Sequence, residues 1–295
     1  MEFFLQLVLN GLVIGSIYAL VGLGFVIIYK SSSILNFAQG EFLMLGAYVC
    51  VAIFVTYRVP FVAAFALTLV FSAILGVLME RVLLRPMIGE PVISVIMLTL
   101  GLSSVLKAVV QGLWGTDTRP YPEIFPTTPV KVGPLPVSQG YLYSMASVLL
   151  LLALFSVFFK YSRAGIAMRA TAFSQQVALS MGISVKRMFA LAWSIAAVVS
   201  AVGGVLLGGL RGGVDGAFAF YGLKVIPVVI LGGLDSVAGA IVGGVVMGVL
   251  ENLSGGYLDP VFGGGVKEVA PFVALVGILA VKPYGLFGKV KIERV

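Results

Sequence analysis

Residues 3–28 run for twenty-six positions without a charged side chain, and apolar segments recur at roughly 37–57, 59–79, 92–114, 141–159, 188–210, 217–231, 237–252 and 268–281. A helix needs about 20 apolar residues to cross the hydrocarbon of a bilayer. In lipid each backbone N–H and C=O must be satisfied internally, which a helix does within its own segment. The composition agrees: 60% of residues are hydrophobic and 11% are charged, where a soluble domain carries roughly 25% charged residues. The chain therefore reads as an all-α polytopic transmembrane bundle. The seventh segment is short, and Gly232-Gly233-Leu234-Asp235-Ser236 separates it from the eighth. That predicts eight or nine spans with one broken helix, residues 217–252 either crossing twice or forming a re-entrant hairpin. The longest connections, 115–140 and 160–187, are only some 25 residues, so residues 1–295 read as a single membrane domain. A cleaved signal peptide would need a basic start and a shorter apolar stretch; Met1-Glu2 and the run after it predict a retained first helix.

Charge sets the expected orientation. Lys30, Arg81, Arg85, Lys160, Arg163, Arg169, Lys186, Arg187, Lys282, Lys289, Lys291 and Arg294 fall on one side of such a bundle. Only Arg58, Arg119, Lys131, Arg211 and Lys267 fall on the other, while Lys107 and Lys224 lie inside apolar segments. Basic connections stay cytoplasmic, which puts 80–91, 160–187 and the C-terminus inside and the N-terminus outside. The net charge of +7 thus reads as membrane topology, with no nucleic-acid partner. Six prolines in 115–140 (Pro120, Pro122, Pro126, Pro129, Pro134 and Pro136) predict extended backbone there, as an ordered cap, a docking surface or a linker. Small residues repeat every fourth position at Gly11/Gly15/Ala19, Ser200/Gly204/Gly208/Gly212 and Ala240/Gly244/Gly248, a spacing that lets helix backbones approach closely in lipid.

Catalytic and metal signatures are absent from the sequence. It holds no histidine and one cysteine, Cys50, so neither H-E-x-x-H nor C-x-x-C can occur. Its single Gly-Lys pair, Gly288-Lys289, does not form a phosphate-cradling G-x-x-x-x-G-K-[ST] loop. The chain therefore reads as a non-enzyme that needs no cofactor or metal; if ATP drives it, the ATPase is another chain.

Polar residues inside the apolar segments are the candidates for function. Asn36 followed by Gln39 fits a capping box that starts the second helix. Glu41, one turn further, has no such explanation, because a carboxylate facing lipid costs on the order of 2.5–3.5 kcal/mol. It faces a partner or a wet cavity, in an interfacial structural role where the helix end reaches the headgroups or in a pathway role, and Lys107, Asp235 and Glu251 have the same two readings. Lys107 is the expected buried partner, and Asp235-Ser236 the expected cap of the helix after the glycine break. In the acid-free connection 160–187, Ile166, Ala170, Phe173, Val177 and Met181 form one apolar stripe of an amphipathic helix. Ser174 can cap a shorter helix at 175–181, and Gly182 marks a helix stop. Such a stripe lies on anionic lipid or inserts into a partner.

Seven stretches occur in the order of a known family: "NGLVIGSIYALVGLGFVIIY", "ILNFAQGEFLMLGAYV", "ERVLLRP", "YSRAGIAMRA", "LSMGISVKRMFAL", "VILGGLDSVAGAIVGGVVMGVLE" and "KPYGLFG". The chain resembles the permease subunits of the high-affinity branched-chain amino acid ABC importers, with a type II importer-like membrane domain. The resemblance implies a second homologous permease, two cytoplasmic ATPases and an extracytoplasmic substrate-binding protein. It implies an amino acid substrate, within a family that also carries urea, short amides and aromatic acids. It places ATPase coupling in 160–187, on Arg169, Ala178, Gly182, Lys186 and Arg187, beside the Phe173, Val177 and Met181 of the stripe. The sequence departs from the family pattern at Gln39, often histidine; at Ser174-Gln175-Gln176, commonly Asn-Pro-Glu; at Asp235, usually glycine; and at Val237-Ala238, in place of Ile-Pro. An ion-coupled carrier using Glu41, Asp235 or Glu251, or a passive channel for a small polar solute, are the rival readings.

Overall fold

The computed structural model describes residues 1–126, 128–132 and 135–288. Lys289, Lys291 and Arg294 of the basic tail, and Pro134 of the proline-rich connection, lie outside the described residues. Long apolar helices dominate: α1 (Glu2–Ser32), α2 (Gln39–Val51, prolonged to Thr56 by a wider π-turn), α3 (Phe61–Met79, prolonged by short turns to Met87), α4 (Val92–Trp114), α5 (Gln139–Tyr161), α8 (Val185–Arg211) and α10 (Val237–Tyr257). Two short helices, α6 (Arg163–Phe173) and α7 (Gln175–Ser180), join α5 to α8. The shorter α9 (Phe220–Gly232) precedes α10, and α11 (Asp259–Phe262) and α12 (Val266–Val281) close the described chain.

Among the described residues, seven helices are long and apolar enough to cross a membrane. The remaining two expected spans, 217–231 and 268–281, correspond to α9 with the 3₁₀ turn before it and to the 16-residue α12. Thirteen residues at 1.5 Å each make α9 about 20 Å long, short of the hydrocarbon thickness. It is the broken element the glycine interruption predicted.

Burial separates centre from rim. In the most apolar window of α1, 89% of residues are buried, and in those of α2 and α8 72%; in α3, α4 and α5 the share is 22%. The rim helices turn Val62, Val70, Ile74, Ile93, Met97, Val105 and Leu150 outward, which a lipid environment permits.

Glycine spacing explains the tightest contact. α1 runs antiparallel to α10, Gly11 lying against Gly248 and Val249, Gly15 against Gly244, and Leu7 against Gly256. A Cβ on Gly248 would stand 2.3 Å from the Gly15 Cα, so these helices meet backbone to backbone. The remaining small-residue series, on α8, divides. Gly204 packs on the Leu43 carbonyl and Gly208 on the Tyr121 ring, whereas Gly212 (φ +68°) ends α8 in the left-handed conformation.

The described residues of the connection 115–138 include short extended strands, as its prolines predicted. Strand β1 (Arg119–Pro120) pairs antiparallel with β4 (Gly213–Val214), and β2 (Pro129–Val132) pairs with β3 (Leu135–Ser138). Both ribbons lie at the end of the bundle where α4 and α8 finish and α5 begins.

Candidate functional site

Asn36 and Gln39 do not form the expected capping box. The N-cap of α2 is Ala38, without a side-chain cap. The Asn36 carboxamide instead accepts from the Ala38 N–H (3.0 Å) and donates to the Gln39 Oε1 (3.0 Å). Gln39 Nε2 then donates to the Ala196 carbonyl (3.2 Å) and the Ser200 hydroxyl (2.7 Å). Both acceptors lie near the middle of α8, so after α1 the chain returns to half height before α2 starts. Two fully buried polar side chains tie that re-entry to the bundle centre, satisfying the amide groups that burial would otherwise penalise.

Gly40 and Gly222 set the next contact. A Cβ on Gly40 would lie 2.1 Å from the Ala219 carbonyl oxygen, and one on Gly222 would lie 2.3 Å from the Gly40 Cα. The starts of α2 and α9 therefore cross with their backbones touching, which any larger side chain would prevent. This crossing places Glu41 beside α4. Glu41 is buried, and the Ser103 hydroxyl, halfway along α4, donates to its Oε1 at 2.6 Å. The carboxylate lines a cavity of about 260 Å³ with Phe37, Leu100, Ser104, Lys107 and Phe220. Lys107 Nζ stands 5.3 Å from the centroid of the Phe220 ring.

A second charged cluster lies apart from this cavity. Glu251 of α10 is buried, accepting from the Tyr18 hydroxyl (2.7 Å) and pairing with Lys224 (2.8 Å). Lys224 also reaches the exposed Glu268 of α12 (2.6 Å). The buried lysine partner is thus Lys224 and not Lys107, which remains half-exposed. The signal was in the sequence, since both lysines interrupt apolar segments; choosing between them required knowing which helix faces Glu251. Asp235 joins neither cluster. The cap of α10 is Ser236 alone, whose hydroxyl accepts from the Gly239 N–H (3.0 Å), while Asp235 sits in the preceding turn.

The stripe in 160–187 is not carried by one helix. Ser174 (φ −157°, ψ 117°) breaks it and caps α7, accepting from the Val177 N–H at 3.3 Å. Ser174 favours this side-chain-to-backbone bond over continuation of the helix. Phe173 is 92% exposed and Met181 76%, with Val177 and Leu179 also outward. Gly182 takes φ +78° with nothing near its α-carbon, as the predicted stop requires. Lys186 and Arg187 are exposed at the start of α8. Two expected coupling residues turn inward. Ala178 is buried, and Arg169 grips the carbonyls of Phe159 and Lys160 at the end of α5, where a cation satisfies unpaired C=O groups and the helix dipole.

Comparison with known proteins places the chain in a family. The family model described as branched-chain amino acid transport system / permease component matches residues 7–281. The high-affinity branched-chain amino acid transport system permease protein LivH of Escherichia coli K12 is 32% identical, over 99% of this chain and 98% of that protein. BraD of Pseudomonas aeruginosa, with the same descriptive name, is 31% identical over the same shares. A probable branched-chain amino acid transport permease of Methanocaldococcus jannaschii is 27% identical over 96% of this chain and 92% of that protein. A solved structure of PsaBC from Streptococcus pneumoniae in complex with Fab superposes with a TM-score of 0.49 at 15% identity, covering 94% of this chain and 90% of that one. With the family model spanning nearly the whole sequence and full-length relatives above 30% identity, this chain is a member of the branched-chain amino acid transport system permease-component family.

Proposed function

We propose that this chain is the membrane-spanning permease subunit of an ATP-driven importer for branched-chain or related amino acids. It works with a second homologous permease, two cytoplasmic ATPases and an extracytoplasmic binding protein, its N-terminus outside and its C-terminus in the cytoplasm. The observation that carries the passage is a polar stripe on α4. Thr99, Ser103, Lys107 and Gln111 follow at four-residue intervals, with Ser104 beside them, on a rim helix whose other faces are apolar. Thr99 is fully buried, Ser103 and Lys107 are half-buried and Gln111 is exposed. Such a stripe is costly against lipid and is accommodated along a water-filled passage or a partner interface.

The α6–α7 elbow, with Phe173, Val177 and Met181 outward, is the surface that docks the ATPases. Alternating access follows when their closure moves this elbow and, through the Arg169 grip, the end of α5. The passage needs only weak affinity, since the binding protein supplies selectivity. Glu41→Gln tests the passage. We expect transport by the assembled complex to fall about tenfold, equivalent to roughly 1.4 kcal/mol, with assembly unchanged. Transport at the parent rate would make Glu41 an interfacial residue, and loss of assembly would make it a structural one.

A further inference from the structure

The cavity beside Glu41 supports a statement about what it holds, which rests on reading the α4 stripe as a passage wall. Two opposite charges line it without meeting. The ion pairs among the described residues are Arg85–Glu80, Lys224–Glu251 and Lys224–Glu268; Glu41 and Lys107 form none. The contrast lies within one molecule. Elsewhere in this bundle a lysine and a glutamate, Lys224 and Glu251, close to 2.8 Å. Glu41 has the Ser103 hydroxyl as its side-chain partner and Lys107 has the face of Phe220. A carboxylate accepts up to four hydrogen bonds and an ammonium gives three, so both groups keep capacity toward the space between them. The rest of the wall is the two hydroxyls of Ser103 and Ser104 and the apolar Phe37, Leu100, Ala219, Phe220 and Leu223.

We propose that this cavity is a transient binding site for a zwitterionic α-amino acid with an aliphatic side chain. Lys107 receives the carboxylate, Glu41 receives the ammonium, and Leu100 and Leu223 take the side chain. At about 260 Å³ the cavity falls just below the 300–1,000 Å³ of drug-sized ligand pockets and suits a small solute. A ligand carrying both charges on one carbon satisfies both walls at once, which a neutral amide or urea cannot do. With one charged side chain at each end, the site holds its ligand weakly enough to release it.

Thiol labelling at Ser104, which lines the cavity and is exposed, tests this without altering either charge. Ser104→Cys is placed in membrane vesicles holding the assembled transporter and treated with a water-soluble thiosulfonate. The parent chain, whose one cysteine, Cys50, is buried, serves as background. We expect Ser104→Cys to be labelled, and free leucine to slow labelling about tenfold once it reaches roughly ten times Kd, by simple occupancy. Leucinamide and the deaminated acid should leave the rate unchanged. Adding Lys107→Met or Glu41→Gln should abolish the protection while the thiol stays reactive. Labelling that leucine does not slow, or that leucinamide slows equally, overturns the zwitterion site and leaves the passage standing. A thiol that never labels removes the passage, and the site with it.

Discussion

Lys224 shows how much one side chain fixes in a low-dielectric interior. It joins α9 to α10 through Glu251 and to α12 through Glu268, while Tyr18 of α1 holds the other oxygen of Glu251. Three helices therefore meet at one ammonium, and a fourth, α1, joins them through the Glu251 carboxylate. Removing one partner of a buried pair leaves an uncompensated charge, a loss of about 3–5 kcal/mol. We expect Lys224→Met to lower the thermal stability of the detergent-purified permease markedly. Lys224→Met with Glu251→Leu, which removes both charges, should recover much of it. A single variant as stable as the parent would mean that water or headgroups reach Glu251. Glu41 differs in that its charge is met by a serine, so its neutral variant should spare the fold.

Among the elements, the two short helices between α5 and α8 are built for display at the bends and anchorage at the ends. The Ser162 hydroxyl caps α6 by accepting from the Gly165 N–H (2.9 Å), and a Cβ at Gly165 would stand 2.6 Å from the carbonyl oxygens of Phe158 and Phe159. With Arg169 on the same helix end, α6 is locked to α5. At the far joint the Ile183 N–H donates to the Ala178 carbonyl (2.9 Å) and Gly182 turns left-handed. Between these anchors Phe173 projects almost wholly free. We expect Phe173→Ala to weaken ATPase co-purification by about 2 kcal/mol, the loss typical of an interface hot spot, with unchanged permease stability. Gly182→Val forces a β-branched residue to positive φ, a cost of roughly 1–2 kcal/mol, and should uncouple hydrolysis from transport or prevent docking. Unchanged docking and coupling in both would place the coupling surface elsewhere.

At the scale of the whole molecule, the central helices α1, α2 and α8 are enclosed while α3, α4 and α5 present mostly exposed side chains. The outward side chains of α3 are apolar, whereas α4 carries the polar stripe and its charged cavity. Gln111 of that stripe is exposed, and the second permease proposed above would cover it. The sequence also lacks a phosphate-binding loop. We therefore expect the purified chain, reconstituted alone in liposomes, to show no amino acid uptake with or without an ion gradient. Robust uptake by the chain alone would replace the importer reading with a channel or a gradient-driven carrier.

What the sequence determined by itself is what repeats along it or acts over a few residues. The apolar segments determined the helices, because hydrocarbon demands a fixed length of satisfied backbone. The prolines of 115–140 set the extended ribbons, Gly182 the left-handed stop, and Gly11, Gly15, Gly244 and Gly248 the closest helix contact. Four-residue spacing even placed Ser103, Lys107 and Gln111 on one face of α4. The partners across helices were decided by tertiary structure alone. Asn36 and Gln39 have the spacing of a capping box, yet the buried Ser200 hydroxyl and Ala196 carbonyl draw Gln39 into the bundle instead. Lys107 and Lys224 are alike in sequence, each a lone lysine in an apolar segment. One faces a cavity and the other a buried glutamate, because the Gly40–Gly222 crossing fixes where α9 stands. Arg169 reads as a docking residue until the end of α5 appears beneath it. Periodicity records which face of a helix is polar, but the group that face meets depends on the packing of segments as far apart as Tyr18 and Glu251.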